Sequence, residues 1–159
     1  MESDYVDTLL AHPFFKGMDL EHVSTIAECG SDGEYQTGEY LFHQGTTADQ
    51  FFVLLDGAVS LEIQPGEQAP IVIQTRGAGK VLGWSWIFPG EEWKFNARVI
   101  RPVKAVVINT PCLNGKIEKD AELGYELLRR VAKVMMDRLQ ATRMQVMDIY
   151  APSHSTALD

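Results

Sequence analysis

The sequence predicts a mainly β domain with flanking helices: a small antiparallel β-roll that lies between N-terminal helices and one long C-terminal helix. Two observations carry this prediction. Between residues 35 and 108, short β-like runs are separated by glycine, proline and aspartate, which is typical of a sandwich or barrel. On both sides of this region, apolar residues recur at helical spacing. We therefore expect N-terminal helices at 5–29, a β-roll at 34–110 and a C-terminal helix at 120–150, together one domain over 1–150.

The composition excludes several classes of protein. The chain has 159 residues, of which 45% are hydrophobic and 23% are charged, as in an ordinary single-domain globular protein. Its formal net charge of -8 makes direct binding to nucleic acid a poor hypothesis. We see neither a secretion signal nor a membrane span, so we expect a cytoplasmic protein. In that reducing compartment Cys29 and Cys112 are expected to be free thiols, with a single disulfide as the alternative.

Local signals place the boundaries of the N-terminal helices and of the strands. His12-Pro13 and Gly17 interrupt the helical pattern, and Asp19 stands at an N-cap position. Asp56-Gly57 predicts a hairpin, because such a turn needs a positive φ, and Pro65-Gly66 marks another turn. The predicted strands are Tyr40–His43, Gln50–Leu55, Ala58–Ile63, Ile71–Thr75, Lys80–Leu82, Lys94–Val99 and Lys104–Ile108.

The last apolar period predicts one helix of roughly 30 residues, which is about 45 Å long. Its first half is apolar on more than one side, as expected of a helix packed on a barrel. Its second half narrows to a seam that suits a partner helix, so we expect a homodimer. The residues of this predicted interface are Met135, Leu139, Thr142, Val146 and Ile149. Ala151-Pro152 ends the helix, and we expect the tail at 151–159 to be disordered.

The stretch from Val81 to Arg98 has the pattern of an anion-binding turn. It begins as a short strand, turns at Gly83, allows about one helical turn before Pro89-Gly90 and returns as a strand. Free backbone N–H groups at the start of a helix favour negative charge. All three tryptophans of the chain, Trp84, Trp86 and Trp93, lie in this stretch, which is more than a small surface loop needs.

Further glycines and apolar pairs accompany this stretch at characteristic positions. They are Gly38-Glu39-Tyr40-Leu41-Phe42 with Gly45, Phe51-Phe52-Val53-Leu54 with Gly57 and Val59, Val81-Leu82-Gly83, and Ala97. With the order of elements, they resemble the cyclic nucleotide-binding domain of catabolite activator and FNR-type regulators, also found in protein kinase A and cyclic-nucleotide-gated channels. The resemblance covers about Leu9 to Tyr150, and Arg138–Thr142 is similar to the dimer helix of the bacterial regulators. It implies an eight-stranded antiparallel β-roll, also called a double-stranded β-helix or jelly roll.

The resemblance also implies a divergent ligand pocket. In the family, the turn reads roughly Gly-Glu-Leu/Ala and the returning strand Arg-Ser/Thr-Ala. The Glu accepts the ribose 2′-hydroxyl, and the Arg and backbone amides hold the cyclic phosphate. Here Gly83 and Ala97 match, but Trp84 replaces the Glu, and Phe95 and Asn96 replace the Arg and the Ser/Thr. Because two contacts worth roughly 1.5–3 kcal/mol each are lost, the affinity for cAMP is expected to fall by a factor on the order of 10²–10⁴.

Strand alternation sorts the candidate ligand residues by face. It places Phe95 and Ala97 on one face and Lys94, Asn96 and Arg98 on the other. If Phe95 faces inward, Lys94 and Arg98 are solvated charges, whereas a bulge would turn one of them inward. The full set of candidates is Val81, Leu82, Gly83, Trp84, Ser85, Trp86, Lys94, Phe95, Asn96, Ala97, Arg98 and Thr142.

Three candidate side chains have alternative interpretations. Trp84 and Trp86 either fill the space of a nucleotide or stack on a flat ligand. Thr142 stands where a helix threonine contacts the purine in the bacterial activator, and a core hydrogen bond is its alternative role. The histidines have no metal-ligand spacing, and no residues combine into a catalytic constellation. We expect no metal and no cofactor other than a small-molecule ligand.

The resulting hypothesis is a non-enzymatic regulatory module that binds a ligand, does not bind cAMP in the usual way, and signals through a partner protein. No helix-turn-helix pattern follows the long helix, so output is expected to pass through a partner, or the sequence is a fragment of a longer chain. The first alternative is a dimeric protein-interaction scaffold without a ligand. The second is the cAMP- or cGMP-binding effector domain of a transcription regulator.

Overall fold

The computed structural model describes the backbone of residues 2–150 and the side chains of residues 5–150. The predicted disordered tail at 151–159 lies outside the described residues. In chain order, the elements are α1 (Glu2–Ala11), a 3₁₀ helix (Pro13–Phe15), α2 (Leu20–Ala27), β1 (Gly30–Tyr35), β2 (Tyr40–Phe42), β3 (Gln50–Ile63), β4 (Ile71–Gly77), β5 (Val81–Leu82), a second 3₁₀ helix (Trp84–Ile87), β6 (Asn96–Asn109), α3 (Thr110–Lys119) and α4 (Ala121–Tyr150).

The strands form one antiparallel sheet built on two long strands, β3 and β6, of 14 residues each. The order is β1-β6-β3-β4, with β2 also pairing with β6 and β5 with β3. The predicted antiparallel β-roll with flanking helices and a long C-terminal helix is therefore confirmed. The described residues contain six strands rather than eight, because two predicted pairs of short strands merge into β3 and β6.

The predicted hairpin at Asp56-Gly57 is wrong. Gly57 has the expected positive φ of 91°, but β3 continues through it and shifts its register against β6 between Leu54 and Val59. A Cβ atom on Gly57 would lie 2.1 Å from the carbonyl oxygen of Pro102 in β6. The two long strands therefore approach too closely at this point for any residue but glycine. The glycine forms a bulge in a continuous strand instead of reversing the chain.

Two elements were not predicted. Strand β1 has the sequence Gly-Ser-Asp-Gly-Glu-Tyr, which is poor in strand-forming residues, and it owes its conformation to pairing with β6 from Gly30–Ile108 to Tyr35–Val103. Helix α3 begins with strong local signals, because the Asn109 side chain accepts a hydrogen bond from the backbone N–H of Cys112 at 2.9 Å and Pro111 stands in the first turn. Gly115 and the weak apolar period hide the rest of this helix.

The N-terminal helices are interrupted where the sequence predicts. Asp19 caps α2 by accepting a hydrogen bond from the N–H of Glu21 at 2.9 Å. At the interruption, the buried His12 accepts a hydrogen bond from the Phe14 N–H at its Nδ1 atom, 3.1 Å away. Its Nε2 atom therefore carries the proton and donates to the carbonyl oxygen of Leu54 in β3, at 3.0 Å. The histidine thus joins the N-terminal turn to the sheet.

The prediction of two free thiols is wrong, because Cys29 and Cys112 form a disulfide. Strand β1 leaves α2 and runs antiparallel to the end of β6, and this pairing brings Cys29 beside the first turn of α3. The Cys29 carbonyl accepts a hydrogen bond from the Asn109 N–H at 2.8 Å, and the two Cα atoms of the disulfide lie 5.8 Å apart. That distance is ordinary for a disulfide.

The chain divides into two compact units, one up to Ala121 and one from Glu122 onward. The second unit is the predicted long helix, α4. Its first half contains the buried positions Leu123, Leu127 and Val131, and from residue 141 onward every described residue is exposed. None of the helices in the described part of the chain combines the length and apolar character that a bilayer span requires.

The sheet of the first unit buries both faces. The inner face of β3 and β6 forms one apolar cluster, the inner cluster, in which Val59, Leu61, Ala97 and Val99 are each 0% exposed. This face is the interior of the roll, and the opposite one is its outer face. The outer face carries alternate residues of the same strands. For example, Phe51 packs there on Phe14 of the N-terminal turn, with ring centroids 5.5 Å apart.

Candidate functional site

The backbone of the Val81–Arg98 stretch follows the predicted path. Strand β5 pairs with β3 through Leu82 and Val81, both of which are buried. Gly83 then takes a left-handed conformation, with φ 96° and ψ 50°, and starts the 3₁₀ helix Trp84–Ile87. The helix ends before Pro89-Gly90, where the Phe88 N–H donates to the Ser85 carbonyl at 3.2 Å. Ser85 is half-buried within this helix, close to its free N–H groups.

Trp93 closes the turn from the interior side. A Cβ atom on Gly83 would lie 2.6 Å from Cη2 of the Trp93 ring, so this ring rests directly on the glycine backbone. The ring is 4% exposed and stacks on Phe42, with centroids 3.8 Å apart and planes inclined by 13°. The Trp93 N–H donates to the Thr46 carbonyl at 2.9 Å, and the Gly45 N–H donates to the Trp93 carbonyl at 2.9 Å. Trp93 is therefore fixed by both its ring and its backbone.

The tryptophans divide between the two faces of the sheet. Trp86 is 2% exposed and packs on Phe51 on the outer face, with centroids 5.5 Å apart. Its carbonyl accepts a hydrogen bond from Nδ2 of Asn114 in α3, at 3.2 Å. Trp84 is half-buried. The space-filling role was predicted for Trp84 and Trp86, but Trp93 takes it in the interior. The positive φ required at Gly83 did not signal this contact, because it depends on a residue ten positions along the chain.

The returning strand has the predicted alternation. Phe95 is half-buried and packs on the inner cluster, with its ring centroid 5.8 Å from that of Phe42. Ala97 follows it on the same face and is 0% exposed. Asn96 lies between them, and its Oδ1 atom accepts a hydrogen bond from the Gln44 N–H at 2.7 Å. The position of the family's phosphate-binding arginine is therefore occupied by an inward-facing phenylalanine.

The two cations near this strand differ. Lys94 fits the expectation of a solvated charge, because its side chain is 66% exposed and its Nζ atom lies 3.1 Å from the Glu91 carboxylate. For Arg98 the expectation is wrong. Its Nε and Nη2 atoms donate to Oε2 of Glu62 at 3.1 and 2.7 Å, and the Glu62 side chain is only 3% exposed. The hydrogen bonds from Arg98 lower the pKa of the Glu62 carboxyl.

This ion pair lies on the outer face. Glu62 and Arg98 each follow an inner-cluster residue, Leu61 and Ala97, so their side chains project from the opposite face of β3 and β6. Strand β6 pairs with β3 without a register shift at this position, so no bulge turns Arg98 inward. The last predicted ligand residue, Thr142, lies on α4 in the second compact unit and is exposed. A ligand-binding role for the candidate residues stays a prediction.

Known proteins share this arrangement. The family model for the cyclic nucleotide-binding domain matches residues 33–120. The cGMP-dependent protein kinase isozyme 2 (forms cD5/T2) of Drosophila melanogaster is 30% identical over 83 residues, which are 52% of this chain and 9% of the kinase. The chain thus spans only a small part of the curated relatives that it matches.

Two solved structures extend the comparison. One is of a protein from Geobacter metallireducens assigned to the cyclic nucleotide-binding proteins, with 26% identity, a TM-score of 0.75, and coverage of 84% of this chain and 96% of that one. The other is the regulatory domain of Toxoplasma gondii PKA in complex with cAMP, with 21% identity, a TM-score of 0.69, and coverage of 86% and 50%. Since the family match includes all of β2 to β6 and more than half of the chain, the protein belongs to the cyclic nucleotide-binding domain family.

Proposed function

We propose that this protein is a non-enzymatic regulatory module that binds a small-molecule ligand in a divergent pocket and passes the signal to a partner protein. One observation carries the proposal. The glycine turn and the 3₁₀ helix of the family's cradle are kept, while Phe95 packs on Phe42 where the family has its phosphate-binding arginine. The backbone N–H groups that favour an anion are retained, but the usual side-chain countercharge is lost.

The nearby cation on the returning strand does not restore that contact. Arg98 projects from the outer face, and its guanidinium is engaged by the buried Glu62 carboxylate. Recruiting it to a ligand would leave Glu62 buried without a partner, which is strongly unfavourable. The usual mode of cAMP binding is therefore the mode that this pocket supports least.

Restoring the arginine tests the proposal. In calorimetric titrations with cAMP and with cGMP, we expect Phe95→Arg to bind at least one nucleotide about 10–100-fold more tightly than the unchanged chain, because it gains a charge-assisted hydrogen bond. Phe88→Arg is the matched control, since Phe88 is 67% exposed beside the same turn and should gain nothing. A submicromolar Kd in the unchanged chain that Phe95→Arg does not improve would contradict the divergent pocket.

We also propose that the second half of α4 pairs with the same helix of a second copy. Met135, Leu139, Val146 and Ile149 support this, because each is apolar and between 45% and 75% exposed. Thr142 lies between them at helical spacing. Changing Leu139 and Val146 together to Asp should produce monomers in sedimentation experiments, whereas Gln140→Asp with Arg143→Asp should not. A dimer that survives the first pair of changes would place the interface elsewhere.

A dimeric scaffold without a ligand is the second candidate function. The stacked rings of Trp93 and Phe42 favour it, because they occupy the interior beside the cradle. In this case, cAMP and cGMP should leave both the tryptophan emission and the melting temperature unchanged, since a ligand that binds only the folded state must stabilise it. A shift in either quantity would favour the sensing function.

A further inference from the structure

Strand β4 places two polar side chains on the apolar interior of the roll. In the register of β3 and β4, Arg76 lies opposite Val59 and Gln74 lies opposite Leu61. Directly opposed residues of an antiparallel pair project from the same face of the sheet. Val59 and Leu61 belong to the inner cluster and are 0% exposed. Arg76 and Gln74 therefore project toward the interior.

The exposures along β4 agree with this placement. Arg76 and Gln74 are half-buried, whereas Thr75 between them is exposed and Val72, which lies opposite Glu62, is 57% exposed. One face of β4 is thus open to solvent, and the other turns its polar residues toward an apolar cluster. Polar groups in such a place require a partner.

Arg76 has no such partner among the described residues. Its Nε atom is buried and donates to no hydrogen-bond acceptor there, and in the range 5–150 no ion pair reaches its guanidinium. Burial lowers the pKa of Arg76 from its ordinary value, and no neighbouring carboxylate counters the effect. A desolvated cation without a counterion is costly, and an anionic ligand removes that cost.

The chain leads directly from Arg76 to the cradle. After β4, the turn Gly77–Lys80 is held on β3, because the Gly79 N–H donates to the Leu54 carbonyl at 3.1 Å and the Leu54 N–H donates to the Lys80 carbonyl at 3.0 Å. Strand β5 and Gly83 follow at once, so β4 and β5 line the same edge of β3. Phe95, in contrast, precedes β6, on the other side of β3.

We propose that Arg76, assisted by Gln74, supplies the countercharge for a phosphate-bearing anion in the roll interior, in place of the arginine that is missing at Phe95. This inference rests on the proposed ligand-binding function and names the chemical class of its ligand. A guanidinium presents two parallel N–H groups to a phosphate, and the Gln74 amide adds a neutral donor. A cyclic nucleotide carries such a singly charged phosphodiester.

The test compares Arg76→Gln with Arg101→Gln, a control that removes an exposed arginine from β6. Binding of cAMP and cGMP is measured by calorimetry, and the melting temperature is measured with and without inorganic phosphate. We expect Arg76→Gln to lose at least about 10-fold in nucleotide affinity and the phosphate-dependent rise in melting temperature. Arg101→Gln should keep both. General salt effects are shared by all three proteins and cancel.

A purely structural role for Arg76 predicts a different result. If the guanidinium held the fold together, Arg76→Gln would melt at a lower temperature without any ligand, whereas loss of an uncompensated buried cation should leave that temperature unchanged or raise it. Arg76→Lys is the second variant, because it keeps the charge but loses the two-pronged contact, and it should bind phosphate with intermediate affinity.

The outcomes separate the two proposals. Nucleotide binding that is equal in the unchanged chain and in Arg76→Gln would overturn the role of Arg76 and leave the regulatory function standing. A phosphate effect that depends on Arg76, without any response to a nucleotide, would support the anion site and count against nucleotide sensing. No response to any of the three probes, in heat or in tryptophan emission, would overturn both.

Discussion

The two faces of the sheet treat an arginine in opposite ways. On the outer face, Arg98 shares two hydrogen bonds with Oε2 of Glu62, whose pKa is lowered by the contact. On the inner face, Arg76 projects among apolar side chains and finds no carboxylate in the described part of the chain. The outer charge is satisfied within the fold and is structural. The inner charge is unsatisfied, so ligand chemistry is expected on the inner face.

This comparison depends on the register of the bulge at Gly57, and breaking the bulge should have the largest effect. Gly57→Ala would place a Cβ atom 2.1 Å from the Pro102 carbonyl oxygen at a φ of 91°, so we expect a loss of at least about 3 kcal/mol in the free energy of unfolding. Gly38→Ala has a similar φ of 93° without any atom within 4 Å, and should cost only about 1–2 kcal/mol. Equal losses in denaturant unfolding would show that the close approach is not needed.

Removing one partner of the outer pair should have the next largest effect. Arg98→Ala leaves Glu62 buried without its cation, and we expect a loss of about 2–3 kcal/mol in the free energy of unfolding at neutral pH. Lys94→Ala breaks an exposed pair and should change stability by less than about 0.5 kcal/mol.

The pH dependence of the outer pair has a definite sign. Because the folded pKa of Glu62 lies below its ordinary value of 4.5, the contribution of the pair is complete above that value and is lost as the pH falls through the folded pKa. The difference between the unchanged chain and Arg98→Ala, measured by chemical unfolding at a series of pH values, should therefore shrink in acid. A difference that stays constant down to about pH 3 would show that the Glu62 charge is not involved.

The smallest expected effect concerns His12, a buried group that the fold satisfies in its neutral form. Its pKa is lowered, chiefly by burial, from an ordinary value of 6.5. The unfolded chain therefore binds a proton first as the pH falls, so stability is complete above 6.5 and declines below it, by at most about 1.4 kcal/mol per pH unit. His12→Gln should lack this decline between about pH 7 and pH 5. A slope that persists in the variant would assign the proton uptake to another group.

Local signals in the sequence predicted the path of the cradle. Gly83 and Pro89-Gly90 act on their own neighbours, so the turn and the short helix between them were predictable. The inward direction of Phe95 followed from strand alternation, which is also local. The order of helices, β-roll and long helix followed from the changes in apolar period.

Contacts between distant residues could not be predicted in this way. Glu62 and Arg98 are 36 positions apart, and their pairing depends on a register that contains several bulges. Arg76 drew no attention because its inward direction follows from its alignment with Val59, not from its own neighbours. Asp56-Gly57 misled for the same reason, since a turn-forming dipeptide is also compatible with a bulge when two long strands cross closely.

The disulfide encloses every strand of the described sheet. Cys29 precedes β1, Cys112 follows β6, and the two are 83 positions apart, so the entire cradle belongs to one covalent ring. In the chain-entropy view, a ring of this size restricts the denatured ensemble by about 4–5 kcal/mol. A reducing cytosol would open it, and the cytoplasmic location stays a prediction. The endurance of the sensor would then vary with the thiol balance of its surroundings, even though neither sulfur lies in the cradle.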